Sequence, residues 1–136
     1  MIRHIWSILC ERIIIDQKTN LISYLTCIEE LVAKKLPAVG SLFALGSLWQ
    51  TDSPKEDILK FRWILVSPKG IEKKMIESKD FILEKESYRT NIILNGISFD
   101  SIGIYVFRLQ TELNNKWKTM TEIPIKVLLK SNKEKN

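Results

Sequence analysis

The stretch "CERIIIDQKTNLISYLTCIEEL", residues 10–31, decides the fold, because it reads both as a strand running into a helix and as two strands folded back on each other. For the helix, Leu21, Leu25, Ile28 and Val32 fall at steps of four, three and four, on one helical face. Asn20 would serve as N-cap, and Glu30 would pair with Lys34 one turn later. For the hairpin, Ile13-Ile14-Ile15 is a β-branched run and Asp16-Gln17-Lys18-Thr19-Asn20 is a polar turn cluster. Beyond it Ile22, Tyr24, Thr26 and Ile28 keep a period of two. These residues alone support either reading.

The rest of the chain breaks the tie. Leu59, Phe61, Trp63 and Leu65 alternate with Lys60 and Arg62, and Pro68-Lys69-Gly70 supplies a turn. Tyr105, Phe107 and Leu109 alternate against Arg108 and Gln110. Residues 113–116 (Leu-Asn-Asn-Lys) make a hairpin tip, and Ile123, Ile125, Val127 and Leu129 return. Pro124 on that last strand suits an edge or a bulge. The expectation is an all-β, antiparallel two-sheet β-sandwich of roughly seven to eight strands. It occupies residues 1–130 as one domain, with 131–136 as a flexible tail. Centring the first hairpin between Lys18 and Thr19 sets Ile15 opposite Ile22 and Cys10 opposite Cys27. A direct cross-strand disulfide is geometrically demanding, so two buried free thiols are expected.

Composition agrees with a globular domain: of 136 residues, 45% are hydrophobic and 27% charged. No apolar run approaches the ~18 residues of a spanning helix. The apolar start, residues 5–10, is cut short by Glu11 and Arg12 and lacks a small-residue cleavage site, so a cytoplasmic location is expected. The net charge of +5 permits anionic partners. Its richest stretch, residues 69–85, nevertheless interleaves Glu72, Glu77, Asp80 and Glu84 with the lysines, unlike a nucleic-acid footprint.

Leu9-Cys10-Glu11, Ile15-Asp16 and Asn20-Leu21-Ile22-Ser23 resemble the opening of an uncharacterised bacterial family of small β-sandwich proteins. Asn95-Gly96-Ile97-Ser98-Phe99 and Gly103-Ile104-Tyr105-Val106-Phe107 are similar to its later part. The resemblance implies an immunoglobulin- or C2-like fold and brings no catalytic residues with it. In the second segment Gly103 can take a positive φ on entering the strand. Tyr105 looks like a tyrosine corner, its hydroxyl bonding to nearby backbone.

Chemistry is sparse. The single histidine, His4, has no nucleophile elbow to serve, since Gly46-Ser47 lacks the G-x-S-x-G frame. Two cysteines and one histidine cannot close a structural zinc site, and the scattered glycines frame no phosphate loop. Asp52 and Asp57 share a loop but offer too few oxygens for calcium. No enzyme activity, no cofactor and no metal are expected. What stands out is apolarity on both faces of the first strand: Trp6, Ile8, Cys10 and Ile14 on one side, Ile5, Leu9, Ile13 and Ile15 on the other. A sandwich covers only one face of each sheet. The apolar segment 36–49 would supply the second cover or form a contact surface itself. Trp49 and Trp117, near turns, are candidate aromatic anchors, against the favoured reading that all four tryptophans fill the core.

The expected function is therefore a non-catalytic protein-interaction or assembly module, with Ile5, Leu9, Ile13, Ile15, Trp49 and Trp117 as candidate interface and a protein partner or a second copy as occupant. The alternative is nucleic-acid or anionic-surface binding through Lys69, Lys73, Lys74 and Lys79. A small-molecule binding protein is the further alternative. No membrane insertion is expected.

Overall fold

The computed structural model describes residues 1–130; the tail expected at 131–136 lies outside them. Eleven strands and no helix occur among the described residues. They are β1 (Ile2–Ile15), β2 (Ile22–Cys27), β3 (Glu30–Ala33), β4 (Ala38–Thr51), β5 (Ile58–Leu59), β6 (Phe61–Val66), β7 (Glu72–Glu77), β8 (Phe81–Ile82), β9 (Ser87–Phe99), β10 (Gly103–Leu113) and β11 (Lys116–Leu129). One sheet has the order β2-β1-β4-β9 and the other β3-β11-β10-β6-β7, with β5 and β8 as a separate ribbon. Two expectations are corrected here. There are eleven strands rather than seven or eight, because β3, β5 and β8 are pieces of four, two and two residues, too short to show a period. The second sheet is mixed, since β3 runs parallel to β11.

The opening stretch is a hairpin. Its register has Cys10 opposite Cys27, Arg12 opposite Leu25, Ile13 opposite Tyr24 and Ile15 opposite Ile22, as the turn position predicts. Asp16 builds the turn: its carboxylate accepts from the backbone N–H groups of Lys18 (2.8 Å) and Thr19 (3.0 Å). The rival helical face loses because β1 offers a full set of hydrogen-bond partners. Leu21 and Val32, two of its four members, end up 70% and 52% exposed. Segment 36–49 resolves differently from either reading offered for it: it forms β4, an inner strand paired with β1 on one side and β9 on the other.

The inner faces of the two sheets share one core. Leu9, Phe43, Leu45 and Trp49 from the first sheet meet Phe61, Trp63, Leu65, Phe107, Leu109, Ile125 and Val127 from the second. Each fully buried large side chain contributes roughly 1.5–3 kcal/mol through removal from water. Phe99 joins the layers edge-on, 5.9 Å from the Phe43 ring and 4.9 Å from that of Tyr105.

The turns follow local chemistry. Ser67 and Gly70 close the β6–β7 turn through a 2.9 Å backbone bond around Pro68. Asn114 and Asn115 have φ of 52° and 63°, the pair of positive values that a two-residue hairpin needs. Gly103 enters β10 at φ 128°. Two residues on, the Tyr105 hydroxyl accepts from the Ser101 N–H at 3.1 Å, the tyrosine-corner bond expected from the sequence. Pro124 pairs with Val106 on β10, and β3 reaches β11 only from Lys126 onward. Its missing N–H therefore falls on an open edge.

Candidate interaction surfaces

The outer faces of the two sheets are chemically opposite. On the second sheet, Arg108 bridges Glu72 (2.6 Å) and Glu122 (3.2 Å), and Lys74 pairs with Glu77 at 3.6 Å. Arg62 donates to Gln110 at 2.8 Å while its guanidinium lies 4.2 Å from the Trp117 ring centroid. Lys60 pairs with Glu112 at 3.5 Å. This is a solvated, charge-compensated face.

The first sheet turns Trp6, Ile8, Cys10, Leu42, Ala44, Gly46, Leu48 and Ile93 outward, as their registers on β1, β4 and β9 require. Tyr24 swings over part of it. Its ring stands edge-on to Trp6 at 5.4 Å, and its hydroxyl donates to Asn91 at 3.0 Å across the sheet. A Cβ on Gly46 would lie 2.3 Å from that ring, so the missing side chain is what lets the tyrosine lie down. Beyond this cover Val39, Leu42 and Ile93 remain 64%, 42% and 65% exposed.

The sheet edges differ as much. β7, one edge of the second sheet, reads Glu-Lys-Lys-Met-Ile-Glu, a charged sequence that deters pairing. The open parts of β11 and β1 carry Pro124 and, between His4 and Trp6, a bulge. β2 is six residues long and β3 four. β9 is the exception. It is thirteen residues long, pairs only with β4, and has no charge from Thr90 to Phe99. Its inward residues Tyr88, Ile92 and Leu94 are only partly buried against the core. Sequence reading passed over this strand, although ten consecutive uncharged residues before Asp100 were the available signal.

The candidate interface residues scatter. Leu9 (2% exposed) and Trp49 (0%) are corrected from surface to core: both point between the sheets, where Trp49 Nε1 donates to Thr90 at 3.0 Å. Ile5 sits at the bulge and is exposed, which takes it out of the alternation assumed for Leu9. Ile13 is half-buried and Ile15 exposed, both beyond the part of β1 that pairs with β4. Trp117 is half-buried beneath Arg62. The lysines divide as well. Lys73 pairs with Leu65 and so shares its inward side, whereas Lys74 is opposite Ile64 and faces out toward Glu77. Lys69 occupies the β6–β7 turn and Lys79 the β7–β8 loop.

The polar groups nearest to chemistry are occupied with each other. His4 Nε2 is 2.7 Å from Ser7 Oγ, which is 2.7 Å from Ser47 Oγ. Burial holds the His4 pKa below the ordinary histidine value, opposed by a backbone hydrogen bond with Trp6. Ser7 borders a groove of about 500 Å³ between β1 and β11, otherwise lined chiefly by apolar side chains such as Leu9, Ile28, Ile104 and Ile123. Asp52 is held by Arg3 at 2.6 Å, and Asp57 accepts from Thr51 and meets the N-terminal ammonium at 3.0 Å. Both carboxylates are shifted below their usual range by these hydrogen bonds, from Arg3 and Thr51 respectively. Cys10 is buried, which pushes its thiol pKa up, while Cys27 is exposed, a correction to the expectation of two buried thiols. No group of three His, Cys, Asp or Glu side chains placed to hold a metal ion occurs among the described residues, and no helix among them is long and apolar enough to cross a membrane.

No family model matches the chain, and no curated protein matches it.

Proposed function

We propose that the protein is a non-catalytic assembly module whose partner is a second copy of itself, joined along β9. The observation that carries this reading is the open, uncharged β9 edge, continuous with the exposed apolar side chains of the first sheet. Two β9 strands meeting antiparallel about Ile93 set Ile93 against its own counterpart and Asn91 against Asn95. No charge meets a like charge over the uncharged stretch, and the arrangement is self-complementary, as a twofold interface requires. Pairing supplies backbone partners to the open edge and covers Ile92 and Leu94 on the core side and Ile93 on the outer side. The reading includes a cytoplasmic setting, in keeping with the two free thiols, and an affiliation with immunoglobulin- or C2-like sandwiches, supported by the Tyr105 corner.

Sedimentation velocity over a concentration series tests it. The wild type forms a dimer, and Ile93→Lys, a change at an exposed position, yields a monomer with an unchanged circular dichroism spectrum. A wild-type chain that stays monomeric at hundreds of micromolar, or an Ile93→Lys dimer of undiminished affinity, sinks the proposal.

A further inference from the structure

Where the β6–β7 and β9–β10 turns approach each other, the sheets part to leave a groove of about 450 Å³, within the roughly 300–1,000 Å³ range of small-molecule sites. Its apolar wall is formed by Leu65, Ile71 and Tyr105. Lys69 and Lys73 border it from one side, and Ser98, Asp100 and Ser101 from the other.

Neither lysine makes an ion pair among the described residues, in contrast to Lys60 and Lys74. Lys73 is brought here by the register with Leu65, and Lys69 by the turn around Pro68. The hydroxyls have spare capacity. Ser98 reaches Asp100 only at 3.4 Å, and Ser101 Oγ shares a 3.2 Å contact with the Tyr105 hydroxyl. Two ammonium groups against one carboxylate leave a net charge of one positive unit beside an apolar wall.

We propose that this groove binds a small organic monoanion: a carboxylate with a short apolar body. The ammonium groups of Lys69 and Lys73 take the headgroup, hydroxyls of Ser98 and Ser101 supply further donors, and Leu65, Ile71 and Tyr105 receive the body. Asp100 sets the charge limit, because its carboxylate repels a second negative charge on the ligand and so disfavours a phosphate monoester. The groove shares only Ser98 with the β9 strand of the proposed β9–β9 contact, its lysines, Asp100 and apolar wall lying on other segments, and neither inference depends on the other.

Backbone amide shifts in the full chain are followed by NMR on titration with octanoate, octyl phosphate, inorganic phosphate and octanol. Octanoate is expected to give saturable shifts confined to the two turns and the start of β10. Neutralising both lysines (K69Q with K73Q) weakens it about tenfold or more, as expected for losing two partly exposed charge contacts. Asp100→Asn narrows the preference for octanoate over octyl phosphate. Octanol saturating the same amides equally well overturns the proposal, as does octanoate binding that survives the lysine changes. Inorganic phosphate matching octanoate, or no saturable shift at all, overturns it too.

Discussion

Cys10 and Cys27 stand directly opposite each other on β1 and β2, yet the first is sealed from solvent and the second is open to it. The thiolate is the reactive form, and burial both shields Cys10 and raises its pKa, so reaction at Cys10 is held back. A thiol reagent such as a maleimide is expected to modify one site rapidly under native conditions and the second only after unfolding. Cys27→Ser removes the fast phase and Cys10→Ser leaves it. Equal rates at both sites would contradict the difference in burial.

The contact between Tyr24 and Gly46 predicts a coupled pair. Gly46→Ala drives a methyl group into the tyrosine ring and is expected to cost about 1–3 kcal/mol, as overpacking does. In a Tyr24→Ala background the ring atoms that the methyl group would meet are gone, and the same change costs less. Chemical denaturation of the four proteins gives the coupling energy, and additivity of the two changes would show that the ring does not rest on the glycine.

His4 predicts the pH dependence of stability. Its folded pKa lies below the ordinary value of 6.5, so the unfolded chain binds the proton first as pH falls. The His4 contribution is intact above about 6.5 and is lost as pH drops through the folded pKa. Asp52 and Asp57, whose folded pKa values are lowered from 3.8, begin to matter only below that value, so the windows separate. His4→Gln is expected to flatten the decline immediately below pH 6.5 and leave the acid limb alone. A denaturation series across pH 4–8 that is unchanged in the variant would place the sensitivity elsewhere.

The relocation of Leu9 from surface to core has a direct test. Leu9→Ala is expected to cost about 2–5 kcal/mol, and Ile93→Ala no more than about 0.5 kcal/mol in the monomer. Similar small effects at both positions would return Leu9 to the surface.

Much of the fold was legible because β periodicity, turn residues and special backbone positions are local properties. The Asp16 turn fixed the first register, and Gly103, Tyr105, Asn114 and Pro124 each behave as their chemistry suggests. Side-chain destination was less legible where a bulge intervenes. Strict alternation along β1 joins Ile5 to Leu9, but the bulge after His4 separates them, and nothing in residues 1–9 announces it. Trp49 looked like an anchor near a turn because the length of β4 was unread, and the strand carries that ring into the core. The open β9 edge depends on sheet order, a long-range property that no window of residues contains. Lys73 and Lys74 were grouped as neighbours, although a strand sends successive side chains to opposite faces.

β1 changes partners at Cys10: residues 2–10 pair with β4 and residues 10–15 with β2. Past that point β1 is paired only with β2, which has no other neighbour, so the two run on as a ribbon outside the sheet's inner strands, and Ile14, Ile15, Leu21 and Leu25 are exposed along it. A lone two-stranded ribbon holds its hydrogen bonds weakly, so its amides exchange with solvent through openings that leave the sandwich closed. One continuous strand thus spans two regimes of persistence, slow at its root and fast at its tip, with the buried thiol marking the boundary.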